Sequence, residues 1–314
     1  AGGSLSGDRS ITGRSSLTTV TAKTSGSRRH FLIPSSTSYT LTLKWLNLTG
    51  GSTIGNGGSI YLEGSGSTLH ATSCFFFSNH ATNDGGSVRG NTGTSMQLYY
   101  SNLTDNTAAS GGGGLCSYGS TLLQDSILAR NTAPKGGGIY QERGFIEIYH
   151  SDIRENTQTT STQAHHGGGG VFIFLNVVVT IRESIFHQNH AAGTNNGHQI
   201  FARKGGSDVP SVTAVNTRFV DCTACSTGSN FYLYDGDTPS NSGAAAYGTF
   251  SRQDCSDSPC TVAPFTGTCT DRTDNADHGV LCSYASSTTC PANLYKQVVR
   301  VNDLPPSNES CLPT

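Results

Sequence analysis

The chain has 314 residues, of which 39 are glycine and only 13% are Asp, Glu, Lys or Arg, about half the charged fraction of a typical soluble protein. A formal net charge of −2 gives no electrostatic reason to expect nucleic acid or an anionic membrane as a partner. The longest apolar run, residues 171–179, is interrupted by Asn176 and falls short of the roughly 20 residues that cross a bilayer, so no transmembrane segment is predicted.

The first residue and the cysteines indicate an extracellular protein. The chain starts at Ala1 rather than Met, which we interpret as a mature chain whose signal peptide has been removed. Eight of the ten cysteines follow residue 220, a concentration typical of an oxidising compartment. We therefore predict a secreted or cell-surface location. Three Asn-x-Ser/Thr sequons predict N-glycosylation at Asn47, Asn102 and Asn308.

The predicted elements, taken in chain order, are short strands within a repeating unit. Each unit has apolar residues at positions i and i+2, a small residue at i+5, an apolar residue at i+7 and Asn at i+10. Thr stands at position i in one copy. Copies begin 25 to 33 residues apart, at Leu41 and Val212 in degenerate form and in full at Leu69, Met96, Thr121, Ile146 and Val179. Repeat spacings of this length indicate stacked repeats.

A glycine motif recurs between these copies, at about the same place in each repeat. Gly-Gly-x-apolar sequences end at Ile60, Val88, Leu115, Ile139 and Val171. Glycine pairs disfavour helix, and the Thr, Val, Ile, Phe and Tyr residues around them favour strands. Each unit therefore predicts one coil of strands separated by three corners, with the glycine pair at one corner because φ is positive or Cβ atoms would crowd there.

The other two corners are predicted from the spacing and from the asparagines. The odd step from i+2 to i+5 lets the chain turn while its apolar residues still point inward. Asn tolerates the left-handed conformation, and its amide can bond to the same residue one coil away. We expect a structural ladder of the asparagines Asn79, Asn106, Asn131, Asn156 and Asn189.

The alternating Gly-Gly-x-Ile and Phe-x-x-Asn pattern resembles the repeats of chlamydial polymorphic outer membrane proteins and, more widely, pectin-lyase-like right-handed β-helices. Related repeats occur in cell-surface proteins of algae and other protists. Residues 28–51 resemble the start of such domains, and the resemblance covers roughly residues 10–235. It implies an all-β, right-handed parallel β-helix of seven to eight coils, a rod roughly 35–40 Å long. It says little about function, because such helices serve as lyases, adhesins and fibres.

We predict two parts: a parallel β-helix over residues 1–240 and a Cys-rich, disulfide-stabilised segment over residues 241–314. Too few apolar residues remain in the second part for a core of its own. Cys74 is predicted to be a buried free thiol, with a bond to Cys116 as the alternative. The pairing of the remaining candidates stays open: Cys222, Cys225, Cys255, Cys260, Cys269, Cys282, Cys290 and Cys311.

No catalytic, cofactor or metal site is predicted. The motifs of galacturonan hydrolases are missing, and the outward positions Asn102, Ile127, Asp152 and Ile185 form no carboxylate cluster. His80 and His190 both follow a corner Asn but lie four coils apart, too far to share an ion. A zinc site from His165, His166, His187 and His198 on neighbouring loops is a weaker alternative.

The sequence therefore favours a non-enzymatic structural glycoprotein that assembles into a fibre or surface appendage as a homo-oligomer or filament. Outward apolar residues are expected to mark lateral contacts or the seat of the C-terminal tail: Phe75, Ile127, Ile185, Phe172 and Phe174. The alternative is a protein that binds or cleaves polysaccharide, hinted at by Tyr99, Tyr100, Tyr140 and Tyr149. A third possibility is ice binding, which would need repeated outward Thr-x-Thr rows.

Overall fold

The computed structural model describes residues 3–13, 17–22, 28–160, 166–192, 197–203, 205, 208, 210–215 and 217–219. It also describes the backbone of four further strands within residues 231–283. All statements below concern these residues. They contain strands and turns but no helix, and the strands form four sheets.

Sheet A contains, in spatial order, β1 (Gly3–Ser4), β4 (Phe31–Ile33), β8 (Ile60–Leu62), β12 (Val88–Gly90), β16 (Leu115–Ser117), β20 (Ile139–Gln141), β24 (Val171–Phe174), β28 (Ile200–Arg203), β31 (Phe231–Tyr234), β34 (Gly279–Ser283) and β33 (Thr268–Asp271). Sheet B contains β2 (Arg9–Thr12), β5 (Thr40–Lys44), β9 (Thr68–Thr72), β13 (Ser95–Tyr99), β17 (Ser120–Gln124), β21 (Phe145–Tyr149), β25 (Val178–Arg182), β29 (Ser211–Val215) and β32 (Thr249–Gln253).

Sheet C contains β3 (Thr18–Thr21), β6 (Leu46–Thr49), β10 (Phe75–Phe77), β14 (Asn102–Thr104), β18 (Ile127–Ala129), β22 (Asp152–Arg154), β26 (Ile185–His187) and β30 (Arg218–Phe219). The small sheet D contains β7 (Ser52–Thr53), β11 (His80–Ala81), β15 (Thr107–Ala108), β19 (Thr132–Ala133), β23 (Thr157–Gln158) and β27 (His190–Ala191).

The chain visits sheets A, B, C and D in turn and then returns to A one strand further along. From β1 to β32 every strand pair is parallel, and only β31–β34 and β33–β34 are antiparallel. The predicted parallel β-helix is therefore confirmed as a parallel β-solenoid. About six turns contribute a strand to every sheet, fewer than the seven to eight coils expected, because the first and last turns are partial.

The core lies inside the coil, where the repeat predicts it. The opening unit of the pattern, Ile146, Ile148 and Ile153, is completely buried. Their register partners one turn on, Val179, Ile181 and Phe186, are buried as well. Stacking like side chains about 4.8 Å apart forms one continuous apolar column.

The corners use left-handed residues that the sequence does not reveal. The residue just before the small position has positive φ in six turns: Trp45, Ser73, Tyr100, Asp125, His150 and Glu183, with φ between 46° and 54°. The residue just before the Asn has positive φ at Ser78, Asp105, Arg130, Glu155 and Gln188. The expectation that the Asn itself adopts this conformation is wrong, because its amide is occupied in the core and the preceding residue makes the turn.

The two glycines of each pair have different tasks. Gly85 has φ +69°, which favours glycine. Gly86 has ordinary φ, but a Cβ there would lie 2.1 Å from the Gly113 carbonyl oxygen of the next turn. The first glycine is needed for its backbone angle and the second for the close approach of two turns.

The predicted segment 241–314 lies largely outside the described residues. Six of the eight disulfide candidates are outside them: Cys222, Cys225, Cys255, Cys260, Cys290 and Cys311. The backbone register of β33 and β34 places the other two, Cys269 and Cys282, opposite each other.

Candidate functional site

The predicted asparagines stack inside the corner between sheets C and D. The Nδ2 of Asn79, Asn106, Asn131 and Asn156 each donates to Oδ1 of the next Asn at 2.9–3.0 Å. Each Oδ1 from Asn106 onward also accepts the backbone N–H of the preceding Asn. The last amide, of Asn189, donates to Gln199 Oε1 at 2.5 Å. All members are at most 1% exposed, so the ladder is internal and structural.

A second ladder, which sequence analysis missed, occupies the small position at the B–C corner. Ser101, Ser126 and Ser151 each receive on Oγ the backbone N–H from one turn earlier, at 3.1 Å. Their hydroxyls donate to the carbonyl two residues back. Cys74 holds the equivalent place and is a buried free thiol. The sequence does repeat Ser at this position, but the hydrogen bonds of its hydroxyl group become evident only when the turns are stacked.

The outer face of sheet A is covered rather than exposed. Its middle strands are buried on both faces, and Cys116, Tyr140, Phe172 and Phe201 form an apolar column that is at most 7% exposed. The Tyr140 and Phe172 rings lie 5.2 Å apart, and the Phe172 and Phe201 rings lie 5.1 Å apart. Burial raises the pKa of the Cys116 thiol. Phe172 is therefore no free lateral contact, and the reactive thiolate form is disfavoured here.

The tyrosines flagged for polysaccharide contact do not converge. Tyr140 is buried on sheet A, whereas Tyr99 and Tyr149 lie on sheet B, where each hydroxyl donates to a side chain of its own strand. Tyr100 occupies the B–C corner and is 41% exposed. The hint of a single cleft is wrong, because the four residues are divided among sheet A, sheet B and the B–C corner.

The outer face of sheet C and its two corners gather charged residues from successive turns. At one corner His150 lies between Asp125 and Glu183, with its Nε2 2.5 Å from Glu183 Oε2. At the other, Arg130 makes a bidentate ion pair with Asp105 at 2.9 Å and also faces Glu155. These columns form because residues one turn apart in sequence stack about 4.8 Å apart.

Asp152 lies between these columns and is 3% exposed. One of its oxygens is 3.1 Å from His187 Nε2, and the other accepts a hydrogen bond from Arg154 Nη1. The register Asn102–Ile127–Asp152–Ile185 puts all four predicted outward positions in one column. With the corner residues, the described side chains of this cluster comprise five carboxylates, two guanidinium groups and two histidines, so the carboxylates outnumber the guanidinium groups by three. Sequence analysis missed this cluster because side chains that contact each other across turns are 25 to 35 residues apart in the chain.

A second surface adjoins the charged cluster on the side nearer the N-terminus of the same face. We call it the corner patch and define it as three turns of three residues: Trp45, Asn47 and Thr49; Ser73, Phe75 and Phe77; Tyr100, Asn102 and Thr104. The strands are in register, so Phe75 and Phe77 lie between the two Asn and Thr pairs. Trp45, Phe77 and Tyr100 are 41–44% exposed. Exposed apolar side chains gathered on one surface, unlike single ones, often mark a contact site.

The predicted glycosylation sites Asn47 and Asn102 both belong to the corner patch, and Asn308 lies outside the described residues. Asn102 is 1% exposed, and neither atom of its amide has a hydrogen-bond partner. Asn47 is half-buried, and its Oδ1 likewise has none. A glycan bonded to Nδ2 needs that atom at the surface, so the burial of Asn102 counts against its occupancy in the folded chain.

The histidines considered for zinc are distributed over the coil. His80 and His190 occupy the outer face of sheet D, in register with Thr107, Thr132 and Thr157 between them. The rings of His190 and His198 stack 5.7 Å apart, while His187 binds Asp152. His165 lies outside the described residues. Among described residues no group of three or more His, Cys, Asp or Glu side chains is placed to hold a metal ion.

The described part of the chain contains no helix that is both long and apolar enough to cross a membrane. Comparison of the chain with known protein families, with curated proteins and with solved structures finds no match.

Proposed function

We propose that this protein is a non-enzymatic structural glycoprotein of the extracellular or cell-surface space and that it assembles end to end through its β-solenoid. The observation that carries the proposal is the end of the stack formed by β2 and β3. These strands pair on one side with β5 and β6, and no described strand lies on their other side.

The free edge of β3 is suited to pairing. Thr18 and Ala22 donate their N–H groups towards β6, to the carbonyls of Trp45 and Thr49. Because strand N–H groups alternate in direction, those of Thr19 and Thr21 point away from the stack. Both side chains are exposed. An open edge of this kind is a template for another strand, unless it is blocked.

A second copy of the chain is the partner we propose for this edge. The solenoid already pairs parallel strands through about six turns, so another solenoid end offers the same strand spacing to the edges of β2 and β3. The internal Asn and Ser ladders join successive turns by hydrogen bonds, which suits a structural role. The concentration of cysteines after residue 220 supports an oxidising, extracellular setting.

The test uses two substitutions at one exposed position. Thr21→Pro removes the outward N–H without removing a bond to β6, whereas Thr21→Val keeps that N–H. Negative-stain electron microscopy and light scattering over a concentration series should show end-to-end assemblies for the wild type and Thr21→Val, but single rods for Thr21→Pro. Single rods for the wild type at high concentration, or assemblies unaffected by Thr21→Pro, would contradict the proposal. Glycan mass spectrometry of native material tests Asn47, Asn102 and Asn308 separately.

A further inference from the structure

The corner patch has features that neither folding nor end-to-end assembly explains. Trp45 and Tyr100 occupy the same corner column two turns apart, with Ser73 between them, and adopt φ of 54° and 50°. The backbone there needs a left-handed residue. Asp, Asn and Ser meet that need more readily than a bulky ring does. At 44% and 41% exposed, these two residues leave a large part of their surface open to solvent, so their placement favours a contact outside the chain.

The buried amide of Asn102 is the second, independent observation. Both Oδ1 and Nδ2 lack a hydrogen-bond partner although the residue is 1% exposed. Asn47, two turns away in the same column, has an unpartnered Oδ1. Buried polar groups in native proteins are nearly always paired, and an exception calls for an explanation such as a ligand. Strand periodicity directs Asn47 and Asn102 to the outer face, beside the exposed rings.

Exposed rings beside unpartnered amides match the two faces of a sugar. A pyranose ring presents apolar C–H groups that stack on aromatic rings, and hydroxyls at its rim that exchange hydrogen bonds with amides. Two turns of the solenoid span about 9.6 Å, close to the length of a disaccharide unit in an extended β-1,4-linked chain. Trp45 and Tyr100 are therefore spaced to meet every second sugar of a chain that runs along the solenoid axis.

The charge of the neighbouring surface selects among polysaccharides. The next turns along the same corner carry Asp125 and Glu183, and among the described side chains of the sheet C face and its corners the carboxylates outnumber the guanidinium groups by three. A uronic-acid polymer that followed the corner would meet like charge. We propose that the corner patch binds a neutral, linear β-1,4-linked polysaccharide, with Trp45 and Tyr100 as stacking platforms. Asn102 is then a hydrogen-bonding ligand whose covered amide is uncovered when the sugar binds, rather than a glycosylation site. This proposal is independent of end-to-end assembly.

The first experiment measures binding by isothermal titration calorimetry with the full chain. The probes are neutral β-1,4-linked hexasaccharides of glucose, mannose and xylose, with hexagalacturonate as the acidic control. At least one neutral probe should bind, and hexagalacturonate should not. Trp45→Ala and Tyr100→Ala should each weaken binding by about tenfold, the loss expected when one stacking contact disappears. Phe145→Ala removes a ring that is 46% exposed on sheet B, outside the patch, and should leave the affinity within about twofold.

The second experiment separates a ligand from a merely structural residue. Asn102→Leu replaces an unpartnered buried amide by an apolar group of similar size. The melting temperature of the free protein should therefore stay equal or rise, while sugar binding should fall by at least about tenfold. The proposal is overturned if no neutral probe binds, if hexagalacturonate binds as tightly, or if Phe145→Ala matches the patch variants. A melting temperature lowered by Asn102→Leu, or a glycan found on Asn102, would also overturn it.

Discussion

Replacing Asn131 by alanine would interrupt the Asn ladder at its centre. Asn131 is fully buried. Its Nδ2 donates to the Leu103 carbonyl and to Asn156 Oδ1, both at 2.9 Å. Its Oδ1 accepts the backbone N–H of Asn106 at 3.0 Å and the Asn106 side-chain amide at 2.9 Å. The substitution therefore removes four hydrogen bonds at once and leaves their partners buried.

The expected loss follows from that inventory. A typical intramolecular hydrogen bond contributes about 1 kcal/mol net, and leaving a buried partner unsatisfied adds to the cost. Four bonds give a loss of about 4 kcal/mol in the free energy of unfolding, near the upper end for a single substitution. Asn131→Asp should also destabilise the protein at pH 7, because its carboxylate would face the Leu103 carbonyl. That loss should shrink on acidification, when a protonated carboxyl can donate again.

Urea unfolding followed by circular dichroism measures both effects, with Asn91→Ala as the matched control. Asn91 is partly buried but makes only two long bonds, to the Glu63 carbonyl at 3.2 Å and to the Tyr61 hydroxyl at 3.3 Å. We expect its loss to be about 1 kcal/mol. Equal losses for Asn131→Ala and Asn91→Ala would refute the argument that the ladder stabilises the coil through cooperating internal amides.

Three further predictions concern single buried positions. Burial lowers the pKa of His30 in the folded protein. Below about pH 6.5 the unfolded chain therefore takes up a proton more readily than the folded chain does, and the free energy of unfolding falls. His30→Gln should remove this contribution, so its melting temperature should change less between pH 7 and pH 5. A Cβ at Gly113 would lie 2.3 Å from the Gly137 carbonyl oxygen, so Gly113→Ala should cost about 3 kcal/mol or more in urea unfolding. Gly50→Ala, with its nearest atom at 3.9 Å and φ +71°, should cost only about 1 kcal/mol. Burial raises the pKa of Cys74 to about 11. Cys74 and Cys116, both buried thiols, should therefore resist alkylation at pH 7 in the folded protein and should react once it is unfolded without reductant. If they do not react after unfolding, they form a disulfide.

The sequence by itself determined the coil and its inside. Each turn repeats the same inward residues, and a side chain such as Ile148 is buried by its own strand and by the turns on either side. In a solenoid the contacts of a residue are mostly one period away, so a pattern read along the chain also describes the packing. The same reasoning located the Asn column and the glycine pairs, because both must recur wherever the backbone turns or two turns approach closely.

Only the tertiary structure determined which outward side chains of different turns lie next to each other. Asp152 contacts His187, which is 35 residues further along the chain, and Trp45 and Tyr100 lie in one corner column. Stacking brings equivalent positions of successive turns together, whichever residues occupy them. The outward residues differ from turn to turn, so the repeat pattern does not predict these clusters. The left-handed residue of the C–D corner likewise precedes the Asn rather than being the Asn, since the amide is held inside by its neighbours. Asn102 lies in register between Phe75 and Ile127, so the burial of its amide depends on packing against the turns on either side.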